Sequence, residues 1–200
     1  MLLQNPSLML TPHFIVTVPG WRNCGGGYWQ SLWAAHLAGA VRLKPDDWAL
    51  PTRTAWVRAL SRAIQAQPHP VVVLAHSLGC IATAHLPADV AARIKGALFV
   101  APVEPERRAV PSDFAPVPCE RLPYRHVVVA GSIAPFCPPR LAAAYVRAWI
   151  ENLCASCRWA TSLFNRVVAN GRWVWRCCSP CQAACLLRLC SAWHRDNHAY

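Results

Sequence analysis

The sequence is short of acid and of lysine. Nine aspartates and glutamates face twenty basic residues, and eighteen of those twenty are arginine. The formal charge of +11 would suit nucleic acid if the basic residues formed a patch. They are spread along the chain instead, and arginine bias of this kind also follows from a GC-rich genome, so nucleic acid is not expected as a partner. No stretch reaches the roughly eighteen uninterrupted apolar residues that a membrane span needs. No membrane partner is expected either. The opening Met1-Leu2-Leu3-Gln4-Asn5-Pro6 lacks the basic start and apolar run of a secretory signal. A cytoplasmic protein with mostly reduced thiols is the expectation. Two hundred residues suffice for one α/β domain with a sizeable core and are too few for two comfortable ones.

What is present is a succession of strands and helices. Phe14–Val18 reads as a strand closed by Pro19-Gly20, and Tyr28–Leu37 as a helix with Trp29, Leu32, Trp33 and Leu37 on one face. Val41–Leu43 is a short strand, Arg53–Ala66 a helix with Trp56, Val57, Leu60 and Ile64 at helical spacing. Val71–Ala75 is a strand apolar on both faces, and Leu78–Leu86 a helix. Gly96–Ala101 and His126–Ala130 are further buried strands. Pro138-Pro139 opens a helix carrying Leu141, Tyr145, Val146 and Trp149 on one side. Between the last two strands lies a loop with prolines at 102, 105, 111, 116, 118 and 123. A loop that long is unusual without a function, and a cover over a site is one option.

Strands alternating with helices call for a parallel sheet with helices on both faces, in three layers. Sites in such sheets lie at the carboxyl ends of the strands. Ser77 stands at one such end, between a buried strand and a helix, within Ala75-His76-Ser77-Leu78-Gly79. This is the small-x-Ser-x-Gly setting of a nucleophile elbow, with alanine in place of the usual first glycine. Small residues are expected at Ala75 and Gly79 because the side chains flanking so tight a turn would collide. The turn lifts the Ser77 hydroxyl clear of the sheet and sets the Leu78 N–H beside it as an oxyanion donor. The bland alternative is a polar serine at an ordinary strand-to-helix turn. After the first strand, Trp21-Arg22-Asn23-Cys24-Gly25-Gly26-Gly27 is glycine-rich but has neither phosphate-loop nor dinucleotide spacing. It suits a second oxyanion donor, and the Trp21 N–H is the candidate. The architecture is that of an α/β hydrolase.

The chain resembles a particular group, the small serine hydrolases related to retinoblastoma-binding protein 9, or YdeN-like hydrolases. The resemblance rests on Val18-Pro19-Gly20-Trp21-Arg22-Asn23, Trp29-Gln30-Ser31-Leu32-Trp33, Asp46-Asp47-Trp48, Ala75-His76-Ser77-Leu78-Gly79-Cys80 and Val100-Ala101-Pro102, and covers about residues 13–149. It implies a Ser–Asp–His triad acting on a small acyl substrate, an ester or small amide, with no cofactor or metal. It also implies an acid in an Asp-Pro-aromatic turn after the strand His126–Ala130. This sequence has Ala134-Pro135-Phe136 there, so the acid position is vacant. The base should follow a last strand ending in Gly-His, and residues 150–200 contain no such strand. Substitutes are few. Glu104 follows the strand after the nucleophile, although a solvated loop carboxylate is its bland reading. His76 adjoins Ser77 but points elsewhere, His36 and His85 sit on predicted helices, and His126 lies at the wrong end of its strand. His194 and His198 lie near the terminus.

Composition breaks near residue 150, which divides an α/β domain over 1–149 from a tail over 150–200 expected to be irregular. The tail holds seven of the eleven cysteines, six arginines, no lysine and two acids, Glu151 and Asp196. Cys154-x2-Cys157, Cys178-x2-Cys181 and His194-x3-His198 have spacings compatible with a structural zinc site. That reading makes a zinc-tailed nucleic-acid binder one alternative function. A tail translated out of frame is the other reading. Trp159-Ala160 must be encoded TGG-GCN, and reading from the third base gives GGC, glycine. The next codon is histidine if the Ala160 codon ends in C, which supplies the missing Gly-His. The same shift across Leu153-Cys154, Ser156-Cys157 and Arg158-Trp159 gives leucine, valine or methionine each time, as a strand would. The expectation is a serine hydrolase with an intact elbow and impaired turnover, or a non-enzymatic remnant that binds without reacting.

Overall fold

The computed structural model describes residues 14–22, 30, 39–107, 111–130, 137–149 and 152–155. The apolar runs form six strands: β1 (Phe14–Val18), β2 (Val41–Arg42), β3 (Val71–His76), β4 (Ile94–Val100), β5 (Arg125–Ala130) and β6 (Asn152–Ala155). All neighbours pair in parallel, in the order β2-β1-β3-β4-β5-β6. The chain leaves β1 toward one edge and returns on its other side to form β3. The order therefore reverses between β1 and β3, and this is where a doubly wound sheet opens a crevice at its carboxyl edge.

Four helices are described, α1 (Arg53–Gln65), α2 (Leu78–Ala84), α3 (Ala88–Ala91) and α4 (Pro139–Trp149). Thr52 starts α1, its hydroxyl accepting from the Ala55 N–H at 3.3 Å. Trp56, Leu60 and Ile64 recur every four residues and bury one stripe of it. They join Val16, Val73 and Phe99 of the sheet, and Tyr145 and Trp149 of α4, in one core. The opposite face of the sheet is covered too, since Thr17, Leu74, Leu98 and Val127 are buried.

Three expectations change. The proline-punctuated stretch after β4 does not lie free as a cover. Val103, Phe114, Val117, Leu122 and Tyr124 belong to the core, and two 3-10 turns, Pro105–Arg107 and Pro111–Phe114, shape it. Phe114 meets Trp56 edge-on at 6.1 Å, the Trp149 indole N–H donates to Pro118 O at 2.8 Å, and Tyr124 Oη donates to Thr83 O at 3.3 Å. The helix after Ser77 ends at Ala84, and a separate turn, α3, follows it. Finally, the sheet runs past residue 149, because β6 pairs with β5 from Val127↔Asn152 to Ala130↔Ala155.

Candidate active site

Ser77 stands between β3 and α2 with φ 52° and ψ −118°. A non-glycine residue held at positive φ is costly, and this strand-to-helix turn is the setting in which a nucleophile elbow accepts that strain. The Ser77 N–H donates to Val100 O at 2.9 Å, and Ser77 O accepts from the Cys80 N–H at 3.1 Å. Ser77 itself is half-buried, whereas every residue of α2 is buried. Leu78 is the first helical residue, so its N–H has no acceptor within the helix.

Gly79 is crowded by the end of β1. A Cβ on it would lie 2.5 Å from Val18 O and 2.7 Å from Pro19 O. A Cβ on Gly20 would come within 3.0 Å of both Ser77 Cβ and His76 Nδ1. The loop that leaves β1 therefore lies directly against Ser77.

Trp21 follows at once and is half-buried. Its indole N–H donates to Ala49 O at 3.0 Å. Arg22, at φ 65°, donates its N–H to Trp48 O at 3.3 Å and lays its guanidinium over the Trp21 ring, 4.7 Å from the centroid. Asp47 Oδ1 accepts from the Ala49 and Leu50 N–H groups at 2.7 and 3.0 Å. The Asp46-Asp47-Trp48 motif thus folds the turn that grips Trp21 and Arg22. Gln30, unremarked in the sequence beyond its motif, is buried and donates from Nε2 to Val18 O at 3.0 Å and Leu74 O at 2.9 Å.

Among the described residues, His76, His85 and His126 take up three separate places. His76 is buried with Nδ1 toward Gly20, and burial lowers its pKa to about 4. Nε2 of His85, at the end of α2, lies 2.7 Å from Phe114 O, and its pKa is lowered mainly by burial. His126 lies at the amino end of β5, buried 5.6 Å from the Phe99 ring and 6.0 Å from Trp149. Glu104 is half-buried beyond the carboxyl end of β4. Burial first, then Glu106 and Glu104, push up the pKa of Tyr145, whose hydroxyl donates to Val103 O at 2.9 Å. Burial also raises Cys80, and pushes Cys137 up to about 12. Neither thiol is a ready nucleophile. Ala134, His36, His194, His198, Cys157, Cys178 and Cys181 lie outside the described residues, and Cys154 is described only through the backbone of β6.

A parallel sheet with a strained serine at its switch point defines an α/β hydrolase fold. A model of the serine hydrolase family matches residues 15–158, and the chain belongs to that family. A protein from Pectobacterium atrosepticum described as a YdeN-like hydrolase is 27% identical, with a TM-score of 0.63 over 70% of this chain and 74% of its own. The ydeN gene product of B. subtilis is 16% identical, with a TM-score of 0.59 over 74% of this chain and 87% of its own. A Silicibacter protein described as a thioesterase is 18% identical, with a TM-score of 0.57 over 76% and 70%. The last two share the fold. No curated protein matches. Among the described residues no helix is long and apolar enough to cross a membrane.

Proposed function

We propose that the chain carries the acyl-binding half of a serine hydrolase site and lacks the proton-relay half. Ser77 Oγ is the nucleophile toward the carbonyl of a small ester or amide, and the Leu78 and Trp21 N–H groups hold the developing oxyanion. The observation that carries this reading is Gly20 seated against Ser77 Cβ, which brings the loop bearing Trp21 to the serine. Attack requires a group to take the Ser77 proton. His76, with its pKa lowered to about 4, is a poor acceptor near neutral pH. Alanine occupies the position where the family pattern has its acid, at 134.

A frameshift near residue 150 accounts for the missing base. The family match stops at 158, and across Trp159-Ala160 the shifted frame writes glycine, followed by histidine if the Ala160 codon ends in C. Reading onward from the third base of the Leu153 codon also writes apolar residues along and beyond β6.

The test is labelling by a fluorophosphonate probe. The chain as it stands should label no faster than its Ser77→Ala variant. The same chain with Ala134→Asp and the frame restored from residue 153 should label faster by several orders of magnitude. A restored chain no faster than the parent overturns the frame reading. Rapid Ser77-dependent labelling of the parent overturns the loss of the relay and makes His194, His198 and Glu104 the residues to mutate.

A further inference from the structure

Gln30 is 1% exposed, and among the described residues its buried Oε1 has no hydrogen-bond partner. A buried amide whose acceptor goes unmet is kept for its donors. Nε2 spends both N–H groups on backbone carbonyls, Val18 O at 3.0 Å and Leu74 O at 2.9 Å. Val18 is the last residue of β1, and Leu74 lies three residues before Ser77 in β3. The two carbonyls belong to the two strands that flank the crevice.

The peptide that opens the loop after β1 joins Val18 to Pro19. Proline contributes no N–H, so Val18 O is the one hydrogen-bonding group that can anchor this peptide. The same oxygen is the atom a Cβ on Gly79 would strike, at 2.5 Å. It is held between the start of the nucleophile helix and the Gln30 amide. Its orientation sets the plane of the Val18–Pro19 peptide, and with it the direction of Gly20 and Trp21.

We infer that Gln30 is a positioning residue: by joining the ends of β1 and β3 it fixes where the Pro19-Gly20-Trp21 loop presents its N–H beside Ser77. This rests on the reading of Trp21 as an oxyanion donor.

Hydrogen exchange resolved by peptide tests it without requiring turnover. Gln30→Met keeps the length and loses both donors. Amides of Gly20, Trp21 and Arg22 should exchange about three- to tenfold faster than in the parent, while those of Leu98 and Val128 stay unchanged. Unchanged exchange at 20–22, or an equal increase everywhere, overturns the role. If Gln30→Met does not fold, Gln30→Glu serves, because its carboxyl keeps one donor when neutral and none when ionised. Relative to the parent, its loop amides should then speed up between about pH 5 and about pH 8, and the absence of such a change overturns the role. In the restored Ala134→Asp chain, Gln30→Met should also slow labelling about tenfold, whereas labelling at the unmutated rate with a loosened loop overturns the link to chemistry. A restored chain that never labels overturns the frame reading, and the exchange pattern still decides the part Gln30 plays.

Discussion

Gly79 faces the end of β1 so closely that a methyl group on it would lie 2.5 Å from the carbonyl oxygen of Val18. The two nearest obstructing atoms are backbone oxygens, so side-chain rotation alone cannot make room. Gly79→Ala should cost about 1–3 kcal/mol as an overpacking change. Gly39 is the control. It has φ +77° with nothing within 4 Å of an added Cβ, so Gly39→Ala should cost about 1–2 kcal/mol from backbone conformation alone. Thermal unfolding compares them, and in the restored chain only Gly79→Ala should slow Ser77 labelling.

His76 makes stability depend on pH. The unfolded chain binds its proton below about 6.5, whereas the folded chain resists until about 4. The unfolded state therefore holds more protons across that window, and stability falls as pH drops through it. The fall should be about 2 kcal/mol between about pH 7 and pH 5 and should level off below about pH 4. His85, lowered in the same sense, adds to it. Urea unfolding at the two pH values gives the slope, and His76→Asn should remove most of it.

Phe114 ties the loop after β4 to α1 and α2. It meets Trp56 at 6.1 Å and His85 at 6.5 Å, and it is fully buried. Phe114→Ala should cost about 3–5 kcal/mol. Combined with Trp56→Ala, the loss should fall short of the sum, because the two rings share a contact. Denaturant unfolding of the two single variants and the double variant measures that coupling.

Purified protein should contain far less than about one zinc per chain. This separates the out-of-frame tail from a zinc-binding one. Metal analysis after dialysis decides between them, and a stoichiometric value would restore Cys154, Cys157, Cys178, Cys181, His194 and His198 as candidate ligands.

The strand-to-helix turn at Ser77 was legible because its pattern is local. A run of valines entering a serine, with a glycine two residues later, states strand, tight turn and helix within nine residues. Gln30 was not, because its partners lie 12 and 44 residues away and no periodicity marks such a contact. The inward packing of the loop after β4 escaped for a similar reason. Phe114 and Tyr124 look like isolated aromatics among prolines until Trp56 and Phe99 are brought beside them. β6 was hidden because Asn152-Leu153-Cys154-Ala155 has little β character of its own, and its pairing comes from the edge that β5 offers.

The contacts that shape the turn at Ser77 and Gly79 come from Val18, Pro19, Gly20 and Val100, all encoded before the loop that leads to β5. A ribosome would have finished the instructions for these contacts with half the message still unread. The residues that bend Ser77 and those encoded after them are therefore separate hereditary units, and a lesion in the later part of the message leaves the earlier instructions intact.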